Sequence, residues 1–157
     1  MSRRDQIRLT PEEEREFLET SRTAILTSIG ADGLPHPTAM WYATIDCLAH
    51  FATYSKSQKV VNFLRNPAAA VLVEDGDVYE ELRGLLIRGR AEVIDDQDFA
   101  FRVMRGNFEK YTAGGPVDPL PQSVEEGLRY QSSKRSVIVV HPEKVTSWDH
   151  RKLGGRY

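Results

Sequence analysis

The sequence predicts a mainly-β fold, an antiparallel barrel or sandwich with helices at its flanks. Three observations carry that expectation. Six or seven short runs rich in Val, Ile, Leu, Thr and aromatic residues recur along the chain, separated mostly by tight-turn signals. Few helical segments stand between consecutive strands, so most strands pair through hairpins, and hairpin pairing is antiparallel. The 157 residues, 40% hydrophobic and 28% charged, suit one domain with one core, spanning residues 1–157.

The elements follow in order. Thr10-Pro11-Glu12-Glu13 opens a helix: Thr10 caps, Pro11 fits the first helical position and Glu13 completes a capping box. Phe17 and Leu18 face inward, and the helix ends near Thr20-Ser21. Thr23 to Ile29 alternates apolar and small polar residues, as a half-buried strand does. Gly30-Ala31-Asp32-Gly33 turns the chain into a second strand, Leu34 to Ile45. Pro35 and Pro37 place the start of that strand at a sheet edge or bulge, because proline donates no ladder hydrogen bond. A turn near Asp46-Cys47 leads to a third strand, Leu48 to Tyr54.

A helix starts near Ser57 and carries Val60, Val61, Phe63 and Leu64 as an inward stripe, until Asn66-Pro67 stops it. Ala68 to Val73 is an apolar strand and Glu74-Asp75-Gly76-Asp77 a turn. Leu82 to Ile94 reads as one long strand, or as two joined at Gly84 or Gly89. Asp95-Asp96 caps a helix to about Tyr111, with Ala100, Val103, Met104, Phe108 and Tyr111 along one face. Thr112 to Gln122, with its glycines and prolines, is a loop. Ser123-Val124-Glu125-Glu126 is a second capping box opening a short helix. Ser136 to His141 and Glu143 to Trp148 are the last two strands, followed by a short polar tail.

Composition narrows function. A net charge of −2 gives no global attraction to nucleic acid or to an anionic membrane, and neither is expected as a partner. No run approaches the length of a membrane span, and the basic start leads into charge rather than an apolar signal core. Cys47 is the single cysteine, which excludes an intramolecular disulfide and fits a reducing compartment, so a cytoplasmic location is expected.

The chain lacks the marks of several chemistries. His36, His50, His141 and His150 show no i, i+4 ligand spacing, and no metal is expected. Gly-x-Ser-x-Gly does not occur, and Cys47 sits in a turn without an evident base. Gly84 and Gly89 are not a P-loop, because no Lys-Ser/Thr follows and the segment is a strand. What remains is one junction. A strand ending Thr38-Ala39-Met40-Trp41-Tyr42 precedes a second strand, Thr53-Tyr54, that runs into the helix start Ser57-Gln58-Lys59. A helix N-terminus presents unpaired N–H groups and a positive dipole end, so Ser57 and Lys59 form a candidate phosphate site. Alternation sends one of Trp41 and Tyr42 inward and the other outward, to a ligand cleft or a subunit interface. Near the end, Ser147-Trp148-Asp149-His150-Arg151-Lys152-Leu153 suits either a rim covering a ligand or partner, or a tail anchored by one tryptophan.

Three segments in order carry a resemblance. They are Thr27 to His36 with Ala39-Met40-Trp41-Tyr42; Ser57 to Asn62 with Arg65-Asn66-Pro67; and Ser147 to Leu153. Across residues 10 to 155 the chain resembles the pyridoxamine-phosphate-oxidase-like split β-barrel proteins. Among them it is most similar to the branch of flavin/deazaflavin oxidoreductases that uses coenzyme F420. The resemblance implies a six-stranded antiparallel split barrel with flanking helices, and a homodimer whose two cofactor sites lie at the interface.

It further implies that Ser57 and Lys59, with Gln58 beside them, hold the cofactor phosphate. Thr38, Ala39, Met40 and Trp41 would run along the ring, Thr53 and Tyr54 would lead from ring to phosphate, and Trp148 and Lys152 would close the site, from the same chain or from its partner. Relatives that use FMN place an additional arginine on the strand facing the phosphate. Pro37 to Trp41 has none, which argues for F420, with Lys56, Lys59, Arg65 and Arg88 as candidates for a basic exit along its acidic tail. The implied activity is hydride transfer between the deazaflavin ring and a small conjugated organic substrate, chemistry that the cofactor carries. No catalytic side chain is assigned. The rivals are an FMN-dependent enzyme on the same scaffold, a non-catalytic carrier or sensor of F420 or flavin, and a haem-binding relative supported only by the four scattered histidines.

Overall fold

The structure, a computed structural model, describes residues 2–154. The end of the expected polar tail therefore lies outside the described residues. One curled, wholly antiparallel sheet forms the body, built from β1 (Ala24–Ile29), β2 (Pro35–Met40), β3 (Ala43–Ile45), β4 (Leu48–Tyr54), β5 (Ala68–Asp75), β6 (Arg83–Ile94) and β7 (Arg135–Asp149). The strand order is β2-β1-β5-β6-β7-β4-β3. Among the described residues five α-helices flank it: α1 (Arg3–Gln6), α2 (Pro11–Thr20), α3 (Gln58–Arg65), α4 (Gln97–Phe108) and α5 (Gln122–Ser132).

The order explains how seven strands make a six-stranded barrel. The segment expected as one strand, Leu34 to Ile45, is broken at Trp41-Tyr42 into β2 and β3. β2 pairs with β1 at one sheet edge, and β3 pairs with β4 at the other. A single bent strand therefore bridges both edges and half-closes the sheet, giving the split barrel. Proline at positions 35 and 37 is tolerated because β2 has a partner on one side only.

Three further differences from the sequence expectation have physical causes. The last two expected strands are one 15-residue strand, β7. Its register against β6 shifts beside Gly89, where Gly89 pairs with Pro142 and Arg88 with Lys144, so Glu143 is the extra residue of a bulge. Pro142 lies beyond the last rung shared with β4, so its missing N–H interrupts nothing on that side. The expected capping box at Ser123 is absent, since α5 starts two residues earlier, with Pro121 rather than Ser123 at the N-cap and no side-chain cap. The stripe on α3 is half right. Val60 and Phe63 are buried, but Val61 and Leu64 point outward, Leu64 being 72% exposed, and the inward face includes Asn62. Asn62 donates to Ser28 Oγ at 3.0 Å and accepts from Gln58 Nε2 at 2.9 Å, which satisfies its buried amide.

The capping box of α2 forms as expected, with Thr10 accepting from the Glu13 N–H. Asp96 caps α4 by accepting from the Phe99 N–H. The core packs Phe17 and Leu18 of α2 and Val60 and Phe63 of α3 against Leu26, Phe51, Val71, Val73, Leu85 and Ile138 of the sheet. Each such side chain contributes about 1.5–3 kcal/mol through burial. Among the described residues no helix is long and apolar enough to cross a membrane.

Candidate functional site

The break between β2 and β3 divides the two aromatics as alternation requires. Tyr42 is fully buried, its hydroxyl donating to the Leu18 carbonyl at 2.6 Å. Burial raises the Tyr42 phenol well above its ordinary value. Trp41 is 56% exposed and lines a cleft of about 570 Å³.

The cleft has a sheet side and a helix side. The sheet side is Thr38 to Trp41 of β2 and its continuation, Ala52 of β4, Lys59 of α3 and Arg135 of β7. The helix side is Met104, Asn107 and Phe108 of α4, Thr112 beyond it, and Leu128 and Gln131 of α5. Between α4 and the loop the chain winds into a π-helical turn, Glu109–Ala113. From it Tyr111 stacks on Trp41 with ring centroids 4.5 Å apart and planes 5° from parallel.

The polar end lies where β4 meets α3. Lys59 Nζ donates to Thr53 Oγ1 at 3.3 Å, and Thr53 donates to Ser57 Oγ at 3.3 Å. Nearby on the β4–β7 ladder Ser136 donates to Ser55 Oγ at 2.8 Å. Partial burial holds the Lys59 pKa below its usual lysine value, and no carboxylate of the described residues pairs with it. Ser57 sits at the N-cap of α3, yet its hydroxyl caps no N–H, so the helix N-terminus is not occupied by its own side chain. Two other cleft residues carry buried polar atoms without a partner, Asn107 Oδ1 and Arg135 Nε. The Arg135 Nε–H, a donor without a partner beside a half-buried ammonium, fits a phosphate, and the apolar walls fit a flat ring.

Of the eleven residues expected at the site, Thr38, Ala39, Met40, Trp41 and Lys59 line the cleft, and Tyr54, which is exposed, does not. Thr53 and Ser57 stand behind Lys59 in its hydrogen-bond chain. Gln58 does not line it, since its amide turns to Asn62. Trp148 and Lys152 are not at the cleft within one chain. Trp148 packs on Gly84, whose added Cβ would lie 2.2 Å from the indole, and Lys152 donates to Glu13 and to the Arg8 carbonyl, tying the C-terminal turn to α2. That salt bridge lowers the Glu13 pKa. Of the candidate exit cations, Lys56 and Arg88 are exposed, whereas Arg65 donates to the Ile29 carbonyl and Asn62. None of the four histidines lines the cleft, and among the described residues no cluster suited to a metal ion occurs.

Arg135 was missed. The strand containing Thr38 carries no arginine, but the cleft receives one from β7. Its guanidinium carbon lies 4.4 Å from the Tyr54 ring centroid, and the two residues face each other in the ladder. Finding it required the β4–β7 pairing, a contact between segments some eighty residues apart. The one local signal is position: Arg135 directly precedes the Val/Ile-rich strand start.

The half-closed antiparallel barrel, with one bent strand serving both edges and a cleft between that strand and two outer helices, defines a split β-barrel protein. The chain belongs to the pyridoxamine 5'-phosphate oxidase family, whose model matches residues 10–149. A solved structure of conserved hypothetical protein Rv2991 from Mycobacterium tuberculosis is 38% identical, with TM-score 0.90, covering 100% of this chain and 95% of that one. A structure described as an F420 reductase is 30% identical, with TM-score 0.64, covering 87% of this chain and 98% of that one. The heme storage protein HutZ of Vibrio cholerae, 16% identical with TM-score 0.64 over 90% of this chain and 96% of that one, shares the fold. No curated protein matches the chain.

Proposed function

We propose that this chain is an F420-dependent oxidoreductase acting on a small conjugated organic substrate. The observation that carries the reading is the union, in one cleft, of an apolar strand wall from Thr38 to Trp41 with the Lys59–Thr53–Ser57 hydrogen-bond chain. The likeness to an F420 reductase at 30% identity supports it. When bound, F420 supplies hydride chemistry through its deazaflavin ring, and the substrate exchanges the accompanying proton with solvent.

The chain's own residues bind and orient. Lys59 and Arg135 neutralise phosphate charge, while Thr53 and Ser57 fix the ammonium. The β2 wall and Trp41 hold the ring flat. Met104, Phe108 and Leu128 exclude water from the opposite side and bring the acceptor near contact distance. No side chain is assigned as a proton donor. The reading includes a homodimer in the cytoplasm. Exposed Val61 and Leu64 on α3 supply an apolar face suited to a second copy, and Trp148 and Lys152 would reach a cofactor only across such an interface.

Arg135 favours a second reading, FMN, because an arginine beside the phosphate end serves a short-tailed flavin as well. Titration of the purified protein with F420 and, in parallel, FMN, followed by ligand fluorescence, separates the two. Micromolar or tighter F420 binding with weak FMN binding is expected. The reverse preference moves the protein to the flavin reading, and binding of neither removes the mechanism. Tight F420 binding without turnover across a broad acceptor panel makes it a carrier.

A further inference from the structure

Tyr42 occupies a gap in the sheet. The β1–β2 ladder ends at Met40 and the β3–β4 ladder begins at Ala43, so the backbone of Tyr42 has no strand partner. One side chain fills the gap. The Tyr111 hydroxyl donates to the Tyr42 carbonyl at 3.0 Å and accepts from the Tyr42 N–H at 3.1 Å. Buried backbone groups left unpaired are destabilising, so both bonds pin the phenol in place. Burial raises the Tyr111 pKa, which keeps the hydroxyl a donor.

The same ring lies flat on Trp41. The Arg22 guanidinium carbon is 5.2 Å from the Tyr111 centroid and Lys110 Nζ is 5.4 Å from it, so cations further restrain the phenol. The π-helical turn that presents Tyr111 is an uncommon backbone form, recurrent at functional positions. Trp41, by contrast, is more than half exposed and would otherwise sample several rotamers.

We propose that Tyr111 is a positioning residue. Anchored at the sheet break, it holds the Trp41 indole in one orientation and so makes a preformed wall for a flat aromatic ligand. The link to ring binding rests on the function proposed above. The pinning of Trp41 does not.

The test uses two readouts on the full chain. In a Trp148→Phe background, so that Trp41 is the single tryptophan, acrylamide quenching of tryptophan emission is compared between Tyr111, Tyr111→Phe and Tyr111→Leu. Pinning predicts more accessible, less anisotropic emission for Tyr111→Leu, with Tyr111→Phe between it and the parent, because the stack survives but the two anchoring hydrogen bonds to the Tyr42 backbone are lost. Identical quenching in all three overturns the proposal. F420 titration is then run on Tyr111→Leu, Trp41→Ala and the double variant. A stacked pair of this kind is worth a factor of about 2–12, so Tyr111→Leu should weaken F420 binding by that much. It should weaken it no further once Trp41 is gone. An equal loss in both backgrounds shows that Tyr111 acts independently of Trp41 and overturns the proposal. If the wild type binds no F420, the function proposed above fails and quenching alone decides this inference.

Discussion

Lys59→Ala probes the proposed phosphate end directly. In the free protein the Lys59 ammonium has one neutral hydrogen-bond partner, Thr53 Oγ1 at 3.3 Å, and partial burial depresses its pKa. Its charge is therefore under-compensated until an anion arrives. Removing one charge-assisted hydrogen bond costs about 1.5–3 kcal/mol of binding, or roughly 10- to 150-fold in Kd for F420. Fluorescence titration reads the loss. The free protein should not be destabilised to match, because a half-desolvated lone ammonium opposes folding rather than favouring it. At this chain length 1 kcal/mol moves Tm by about 2–4 °C, so Tm should hold within that margin.

The pH dependence is a second check. An anion at this site favours protonated Lys59 and raises the depressed pKa towards its ordinary value. Wild-type affinity should therefore weaken as pH rises through the depressed pKa, and the Lys59→Ala variant should lack that component. Unchanged affinity at neutral pH would refute the phosphate assignment. A loss fully tracked by falling Tm would make Lys59 structural.

Other outcomes are expected. Trp41→Ala should weaken F420 binding by about 2- to 12-fold with a small Tm change, since the side chain is 56% exposed; a Tm loss with intact binding would make it a packing residue. Lys110 Nζ lies 4.0 Å from the Tyr42 centroid with no hydrogen-bond partner, and burial lowers its pKa from 10.5 to about 8. The folded state thus disfavours its proton, a penalty complete below about pH 8 that fades as pH climbs towards 10.5. Lys110→Met should therefore have the higher Tm at pH 7, with the gap to wild type narrowing at alkaline pH; a constant gap would contradict the desolvation argument. At Gly89 an added Cβ would lie 1.9 Å from the His141 carbonyl oxygen, a backbone atom that cannot rotate away. Gly89→Ala should cost about 1–3 kcal/mol in urea unfolding, and no loss would mean that the bulge relaxes freely.

What could be read in advance divides by the range of the cause. The α2 capping box, the Gly30–Gly33 hairpin and the division of Trp41 and Tyr42 into one outward and one inward side chain follow from near neighbours in sequence, and all are present, the structure deciding that Tyr42 is the inward one. Asp46 and Cys47, expected as a turn, adopt positive φ as a tight hairpin demands. The misjudged features depend on distant partners. Leu34–Ile45 reads as one strand because its pattern is continuous, and only closure of the sheet breaks it. Pro142 reads as a stop because local rules do not know that Gly89 lies opposite. Val61 and Leu64 read as core because apolar character cannot distinguish a buried face from an outward one. Lys59 was legible from a helix start, whereas Arg135 and the α4–α5 wall needed the tertiary pairing.

The cleft and the closure of the barrel are one event. A strand that serves two sheet edges must bend between them, and the bend removes ladder partners from the residues within it. At Trp41-Tyr42 this frees one large side chain to face outward and leaves one backbone position to be satisfied from elsewhere. The core takes Tyr42, Tyr111 satisfies its backbone, and Trp41 becomes cleft wall. β4, which receives the other half of the bent strand, runs directly into α3, so the unfilled helix N-terminus arrives at the same place. In the proposed reading, the ring wall on β2 and the phosphate end at the β4–α3 junction are joined through the bent β2–β3 strand and the β3–β4 ladder rather than through flexible loops. The helix side is a separate layer, supplied by α4 and α5.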